Sequence, residues 1–121
     1  MKIIDFPDKP VIGLNADSKL EKQDILELDQ VVTLKLDQFD TLGVYVEMES
    51  FSGISLEALV EDIKRFFPKI THFKKKAVVS PDSMMVRVGE SLSKLIPGVE
   101  VRHFLPEQKA EAKKWVAEGM G

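Results

Sequence analysis

Two serines lie where the sequence predicts that a strand is followed by a helix. Ser52 and Ser55 follow an alternating apolar run over 42–48 and precede apolar residues at helical spacing over 56–67. Free N–H groups at a helix start favour an anion, and open α/β sheets bind ligands outside the carboxyl ends of their strands. We therefore predict a phosphorylation or anion-binding site at Ser52 and Ser55. The simpler interpretation is that Ser55 caps the helix and Ser52 belongs to the turn.

Bulky apolar side chains and cations are interleaved over residues 64–76, which we call the basic aromatic segment. The segment has six cations and no acid, and Pro68 interrupts its helical pattern. Such a composition is typical of a membrane-surface helix or of a lid over a ligand. An ordinary helix with solvated lysines, followed by a buried strand, would show a similar pattern. The predicted ligand- and membrane-binding residues are Phe66, Phe67, Lys69, Ile70, Phe73, Lys74, Lys75 and Lys76.

The residues that could do catalysis are few and isolated. His72 and His103 have no partner at metal-ligand spacing, and the chain lacks the glycine-rich and nucleophile-elbow motifs. His103 alternates in step with an apolar strand, which favours a structural hydrogen bond. Glu47 and Glu49 share one strand face and could act as paired carboxylates, although the polar face of a sheet explains them equally simply. We expect no enzyme, no cofactor and no metal site.

Composition and charge limit the class of protein. A chain of 121 residues with 44% hydrophobic content predicts one domain over 1–121, and the absence of cysteine excludes disulfides and thiolate metal sites. The net charge of −3 and pI near 5.4 argue against nucleic-acid binding. We see no export signal and no apolar run of membrane-spanning length. The expected location is the cytoplasm, with peripheral contact at the inner membrane surface if the basic aromatic segment binds lipid.

The elements that position these residues alternate along the chain. The predicted strands span 2–6, 11–17, 42–48, 75–80 and 99–104, and the predicted helices span 21–38, 55–67, 82–95 and 107–118. Only four residues, from Pro7 to Pro10, join the first two strands, so these form an antiparallel hairpin. The order ββαβαβαβα otherwise requires parallel pairing. The sequence predicts an α/β fold with a mixed five-stranded sheet, four main helices and strand 42–48 in its interior.

Two passages resemble a known family. HFKKKAVVS at 72–80 and VEVRHFLPEQKAEAKKWV at 99–116 are similar to the SpoIIAA-like proteins of bacteria, which are related to STAS domains and, more distantly, to CRAL-TRIO domains. The resemblance implies a STAS-like fold. STAS relatives are phosphorylation-switched partners in anti-sigma regulation, whereas CRAL-TRIO relatives hold apolar ligands and contact membranes. Where the STAS motif has Asp-Ser-Ser-Gly, this chain has ESFSG at 49–53, so a phosphate switch would rest on Ser52.

Two functions of different classes therefore stay open. The first is a non-catalytic module that binds an apolar small molecule or lipid and contacts a membrane through the basic aromatic segment. The alternative is a STAS-type regulatory module whose partner protein binds the loop over 50–55. The aromatic residues and lysines favour the first, and the family resemblance favours the second. The sequence does not indicate an oligomeric state.

Overall fold

Apolar residues at a period of two form the strands of the molecule, and apolar residues at a period near 3.6 form its helices. The structure is a computed structural model that describes residues 2–15, 22–47, 72–81 and 100–118. The elements are β1 (Lys2–Ile4), β2 (Val11–Asn15), α1 (Lys22–Leu36), β3 (Leu42–Glu47), β4 (Phe73–Val79), β5 (Glu100–Phe104), a 3-10 turn (Pro106–Gln108) and α2 (Lys109–Ala117).

The five strands form one sheet in the order β1-β2-β3-β4-β5. β1 is antiparallel to β2, and the other neighbours are parallel. The predicted mixed five-stranded sheet is confirmed, and β3 lies at its centre as expected. Within the described ranges there are two α-helices, which match the first and last of the four predicted ones. The predicted helices over 55–67 and 82–95 lie outside the described residues.

The sheet has two apolar faces. Successive side chains of each strand point to opposite faces, and the pairing register aligns apolar residues of neighbouring strands on both. One face packs against α2, with a core formed by Phe6, Val11, Tyr45, Ala77, Val79, Phe104, Ala112 and Val116. The register places Ile12, Leu14, Val46 and Val78 on the opposite face, where all four are buried. Strands with both faces covered are typical of parallel sheets. Because both faces are covered, a polar side chain in the middle of a strand is buried, and one at the end of a strand can reach solvent.

A bulge changes the alternation at the start of β4. Leu42 pairs with Phe73, but the next residue, Gly43, pairs with Lys75, so Lys74 has no counterpart on β3. The extra residue turns Lys74 outward, where it is exposed, and sets Lys76 on the face opposite α2, where it is buried. β4 also begins at Phe73, two residues before the predicted start at 75.

The hairpin between β1 and β2 has the predicted turn. The Lys9 N–H donates to the Phe6 carbonyl at 3.3 Å, and Asp8 adopts a positive φ of 60°, a conformation that aspartate tolerates. The first strand ends at Ile4 and not at residue 6, because Phe6 folds over the sheet with its ring against Tyr45. The ring centroids lie 5.5 Å apart in an edge-on arrangement.

Lys35, in the last turn of α1, connects that helix to the hairpin. Its ammonium donates to the carbonyl oxygens of Phe6 at 2.5 Å and Lys9 at 2.6 Å. Burial lowers the pKa of Lys35, and the nearby carboxylates of Asp5 and Asp8 oppose that shift. One side chain thus joins α1 to the turn that places Phe6.

Lys35→Met is expected to lower the free energy of unfolding by about 1–2 kcal/mol, because it removes two charge-assisted hydrogen bonds that are partly open to water. Urea unfolding monitored by circular dichroism would measure the loss. Lys22→Met, at the exposed start of α1, is the matched control and should be neutral or slightly stabilising, because a cation opposes the helix dipole there. Equal effects of the two substitutions would contradict the role of Lys35.

Candidate functional site

The parallel strands β2 to β5 all end at the same edge of the sheet, which we call the carboxyl edge. Ligand and partner sites of open α/β sheets form outside such an edge. Polar side chains gather here: Glu47 ends β3, Ser80 follows β4, and Lys109 begins α2. Among the described residues, the carboxyl edge is therefore the candidate functional site.

Glu47 is oriented by two neighbours. The Tyr45 hydroxyl donates to its Oε1 at 2.8 Å, and the Lys109 ammonium lies 3.7 Å from the same oxygen. The Glu47 side chain is 16% exposed and that of Lys109 is 48% exposed. The hydroxyl fixes the carboxylate, whereas the exposed ion pair adds little stability. We call these three residues the Glu47 cluster.

Tyr45 is a buried donor within this cluster. Its pKa is raised above the ordinary value, first because burial disfavours the phenolate and then because the hydroxyl is bonded to the negative Glu47. The phenol consequently stays protonated at neutral pH and does not act as an acid or base. The Lys113 ammonium lies 5.6 Å from its ring centroid on the α2 side. Tyr45 therefore positions Glu47.

Ser80 and His103 form a second polar pair near the carboxyl edge. His103 Nε2 lies 2.9 Å from the Ser80 carbonyl oxygen and 2.8 Å from Ser80 Oγ. A carbonyl oxygen only accepts, so Nε2 carries the proton and cannot take one from the serine hydroxyl. Ser80 is also fully buried. The pair joins the ends of β4 and β5, as expected for a structural His103, and does not form a nucleophile with its base.

The predicted site residues separate in the structure. Ser52, Ser55, Phe66, Phe67, Lys69 and Ile70 lie outside the described residues. Phe73 to Lys76 belong to β4. Phe73 pairs with β3, and Lys75 and Lys76 pair with both β3 and β5. Phe73 is buried and Lys74 is exposed. The ligand- and membrane-binding role of this set stays a prediction.

Lys75 is occupied by contacts within the fold. Its ammonium donates to the carbonyl oxygens of Trp115 at 3.2 Å and Glu118 at 2.8 Å, which end α2. It also lies 4.8 Å from the Trp115 ring centroid, and the Arg102 guanidinium lies 5.3 Å from that ring. A cation at a helix C-terminus is stabilising. Lys75 holds α2 on the sheet.

Lys76 is buried on the sheet face opposite α2. Its side chain is 6% exposed, and burial lowers its pKa from 10.5 to about 8. A cation in an apolar environment is costly unless it is paired. The sequence analysis placed Lys76 with the other lysines of the basic aromatic segment as a binding residue. The bulge at Lys74 explains why Lys76 is buried in the sheet instead of exposed.

Tyr45 and Lys109 were missed as site residues by sequence reasoning. Tyr45 stands two positions before Glu47 on one strand, so their shared face was visible in the alternation. Lys109 comes from α2, and only the packing of that helix brings it to Glu47. Among the described residues, no group of three or more potential ligands could hold a metal ion. None of the described helices is both long and apolar enough to cross a membrane.

A family model for SpoIIAA-like proteins matches residues 11–117. The chain belongs to the SpoIIAA-like family. A crystal structure of an uncharacterized protein with a SpoIIAA-like fold from Shewanella loihica PV-4 is similar, with a TM-score of 0.64 and 20% sequence identity. The match covers 94% of this chain and 90% of that one. No curated protein matches. The SpoIIAA-like, STAS-type fold suggests a regulatory or interaction module.

Proposed function

We propose that this SpoIIAA-like protein is a non-catalytic regulatory module whose partner protein binds the carboxyl edge of the sheet. The contact surface is centred on Glu47 and Lys109, and the sequence-based prediction adds residues 50–55, which follow β3 in the sequence. The observation that carries the proposal is the oriented, partly exposed carboxylate of Glu47 at the end of the central strand. A partner with a complementary cation would find that carboxylate already in place, which lowers the entropic cost of binding.

The chemistry of the edge supports binding over catalysis. Tyr45 is held protonated, and the proton on His103 Nε2 is committed to the Ser80 carbonyl. A general base must be free to accept a proton from a reacting group within hydrogen-bond reach. Neither described pair meets that condition. The cluster instead presents one oriented negative charge beside one exposed positive charge, a pattern suited to a protein contact.

Regulation is proposed to act through Ser52. A phosphate on this residue would add close to two negative charges five positions after Glu47 in the sequence, and so change the charge that a partner meets. Intact-mass analysis of protein from its native cells should show that phosphate under some growth condition. Its absence under every condition would leave the partner surface without this switch.

Cross-linking in native cells tests the partner surface by position. An amine-reactive cross-linker should join a partner protein to Lys109, at the carboxyl edge, and not to Lys9, an exposed lysine of the β1–β2 hairpin at the opposite end of the sheet. Tryptic mapping of the linked peptides gives the position. Links that form at Lys9 but not at Lys109 would contradict the proposal.

Membrane contact is the second candidate, because the bulge leaves Lys74 exposed, and aromatic residues and cations at 64–72 precede it in the sequence. One lysine near an anionic surface contributes about 1 kcal/mol, so Lys74→Gln should weaken binding to phosphatidylserine vesicles about fivefold at low salt. Co-sedimentation would measure this, with Lys22→Gln as the charge-matched control. Wild-type protein that stays in the supernatant at low salt would rule out this candidate.

A further inference from the structure

One side of α1 exposes apolar side chains to solvent. Leu26 and Leu34 are the large apolar side chains that the described part of the chain exposes, at 51% and 65%. Gln30, also exposed, stands four residues from each, so the three form a row along the helix that we call the α1 stripe. Leu28 and Val32 are buried and lie half a turn away around the helix axis. The α1 stripe therefore points away from the surface on which α1 packs.

The spacing of the α1 stripe is symmetric about Gln30. Leu26 and Leu34 stand two turns apart, so they do not bury each other within one helix. If a second copy of the helix lies antiparallel, with a two-fold axis at Gln30, Leu26 of each copy meets Leu34 of the other. The two Gln30 side chains then meet at the axis, where each amide can both donate and accept a hydrogen bond. The stripe is thus complementary to itself.

Charges at the two ends of α1 fit the same antiparallel arrangement. Lys22 begins the helix and Asp37 directly follows its last residue, and both side chains are exposed. A cation at a helix N-terminus and an acid at a C-terminus oppose the dipole of their own helix. In the antiparallel pair, Lys22 lies beside Asp37 and the helix C-terminus of the other copy, so both charges become favourable. A parallel pair would instead bring like charges together at each end.

We infer that the α1 stripe is a homodimer interface, at which a second copy of this chain binds in the antiparallel orientation. The leucines provide the attraction by leaving water, and the exposed ion pairs add little affinity but select the orientation. Two leucines per copy make a contact of the weak, transient class, with a dissociation constant on the order of 100 µM. This inference goes beyond the partner surface at the carboxyl edge and does not depend on it.

Single cysteines can report the register of the pair, because the chain has no cysteine of its own. Under mild oxidation, Gln30→Cys should form a disulfide-linked dimer, since the two copies of this position meet at the axis. Gln23→Cys and Asp37→Cys should not link to themselves, because equivalent positions lie about 20 Å apart in the antiparallel pair. A mixture of these two variants should link. No dimer of Gln30→Cys, or an equally abundant dimer of Gln23→Cys alone, overturns the inference.

Sedimentation equilibrium from about 10 µM to about 1 mM protein measures the association itself. The wild-type mass should rise from 13.6 kDa toward twice that value. The double variant Leu26→Lys with Leu34→Lys should stay monomeric, whereas Ala110→Lys, which adds one lysine at an exposed position of α2, should associate like the wild type. A constant wild-type mass, or equal association of the double variant, overturns the inference.

Thermal unfolding in dilute solution distinguishes a second copy from another segment of the same chain. Substitutions at exposed helix positions have small effects, so the double variant should unfold within about 2 °C of the wild type when both are monomeric. A clearly lower Tm would show that another part of the chain covers the two leucines, and would overturn the homodimer interface.

Discussion

Replacing Lys76 by methionine is expected to stabilise the protein by about 3 kcal/mol at pH 7. The pKa of Lys76 falls from 10.5 to about 8 on folding, so below pH 8 the folded state holds a desolvated charge that the unfolded chain keeps in water. Each unit of that shift is worth about 1.4 kcal/mol. Methionine removes the charge and keeps an unbranched apolar chain that can fill the same space.

The pH dependence of this effect has a definite sign. Between pH 8 and pH 10.5 the unfolded state binds more protons at this lysine than the folded state, so the free energy of unfolding of the wild type rises with pH. The advantage of Lys76→Met should therefore shrink through this window. Urea unfolding at pH 7, 8, 9 and 10 measures it, with exposed Lys74→Met as the control. A methionine variant that is less stable than the wild type at pH 7 would show that the buried charge of Lys76 does not lower the free energy of unfolding.

Gly13→Ala is expected to cost about 3 kcal/mol or more, the upper end of what overpacking a core does. A Cβ at this position would lie 2.5 Å from Cε1 of the Phe6 ring and 2.7 Å from the Ile4 carbonyl oxygen. Gly13 pairs with Ile4 across the β1–β2 hairpin, so the backbone contact cannot move without disturbing that pairing. Glycine is needed here because Phe6 folds over it to reach Tyr45.

A double-mutant cycle with Phe6→Leu separates the two contacts. Leucine shortens the side chain that meets the new Cβ, so Gly13→Ala should cost less, by about 1 kcal/mol, in the Phe6→Leu background. Recovery should be partial because the Ile4 oxygen stays in place. Thermal unfolding of the four proteins gives the coupling. An unchanged cost in both backgrounds would show that the ring is not the obstacle.

The architecture was largely predictable from local patterns. The alternation over 42–48 predicted a strand in the interior of the sheet, and β3 lies at its centre. The proline-flanked turn predicted the hairpin. The pattern over 107–118 predicted the last helical region, which begins as a 3-10 turn at Pro106. These patterns involve only residues that are close in sequence, so they can be interpreted without knowing how the chain packs.

The lysines were predicted less well because their environment depends on register. Nothing in the run Lys74 to Lys76 distinguishes one lysine from the next, and the structure makes the first exposed, the second a cap on α2 and the third buried. The bulge that separates them arises from pairing with β3, which is distant in sequence. For the same reason, Lys109 could not be assigned to Glu47 before α2 was placed.

The most direct test of the partner surface is a calorimetric titration of the cross-linked partner, once purified, into three forms of the protein. Glu47→Gln keeps the shape of the side chain and its hydrogen bond from Tyr45 but removes the charge, and should weaken binding about tenfold or more. Glu100→Gln, an exposed acid at the opposite end of the sheet, should bind within about twofold of the wild type. Equal affinity of all three forms would contradict a partner site centred on Glu47.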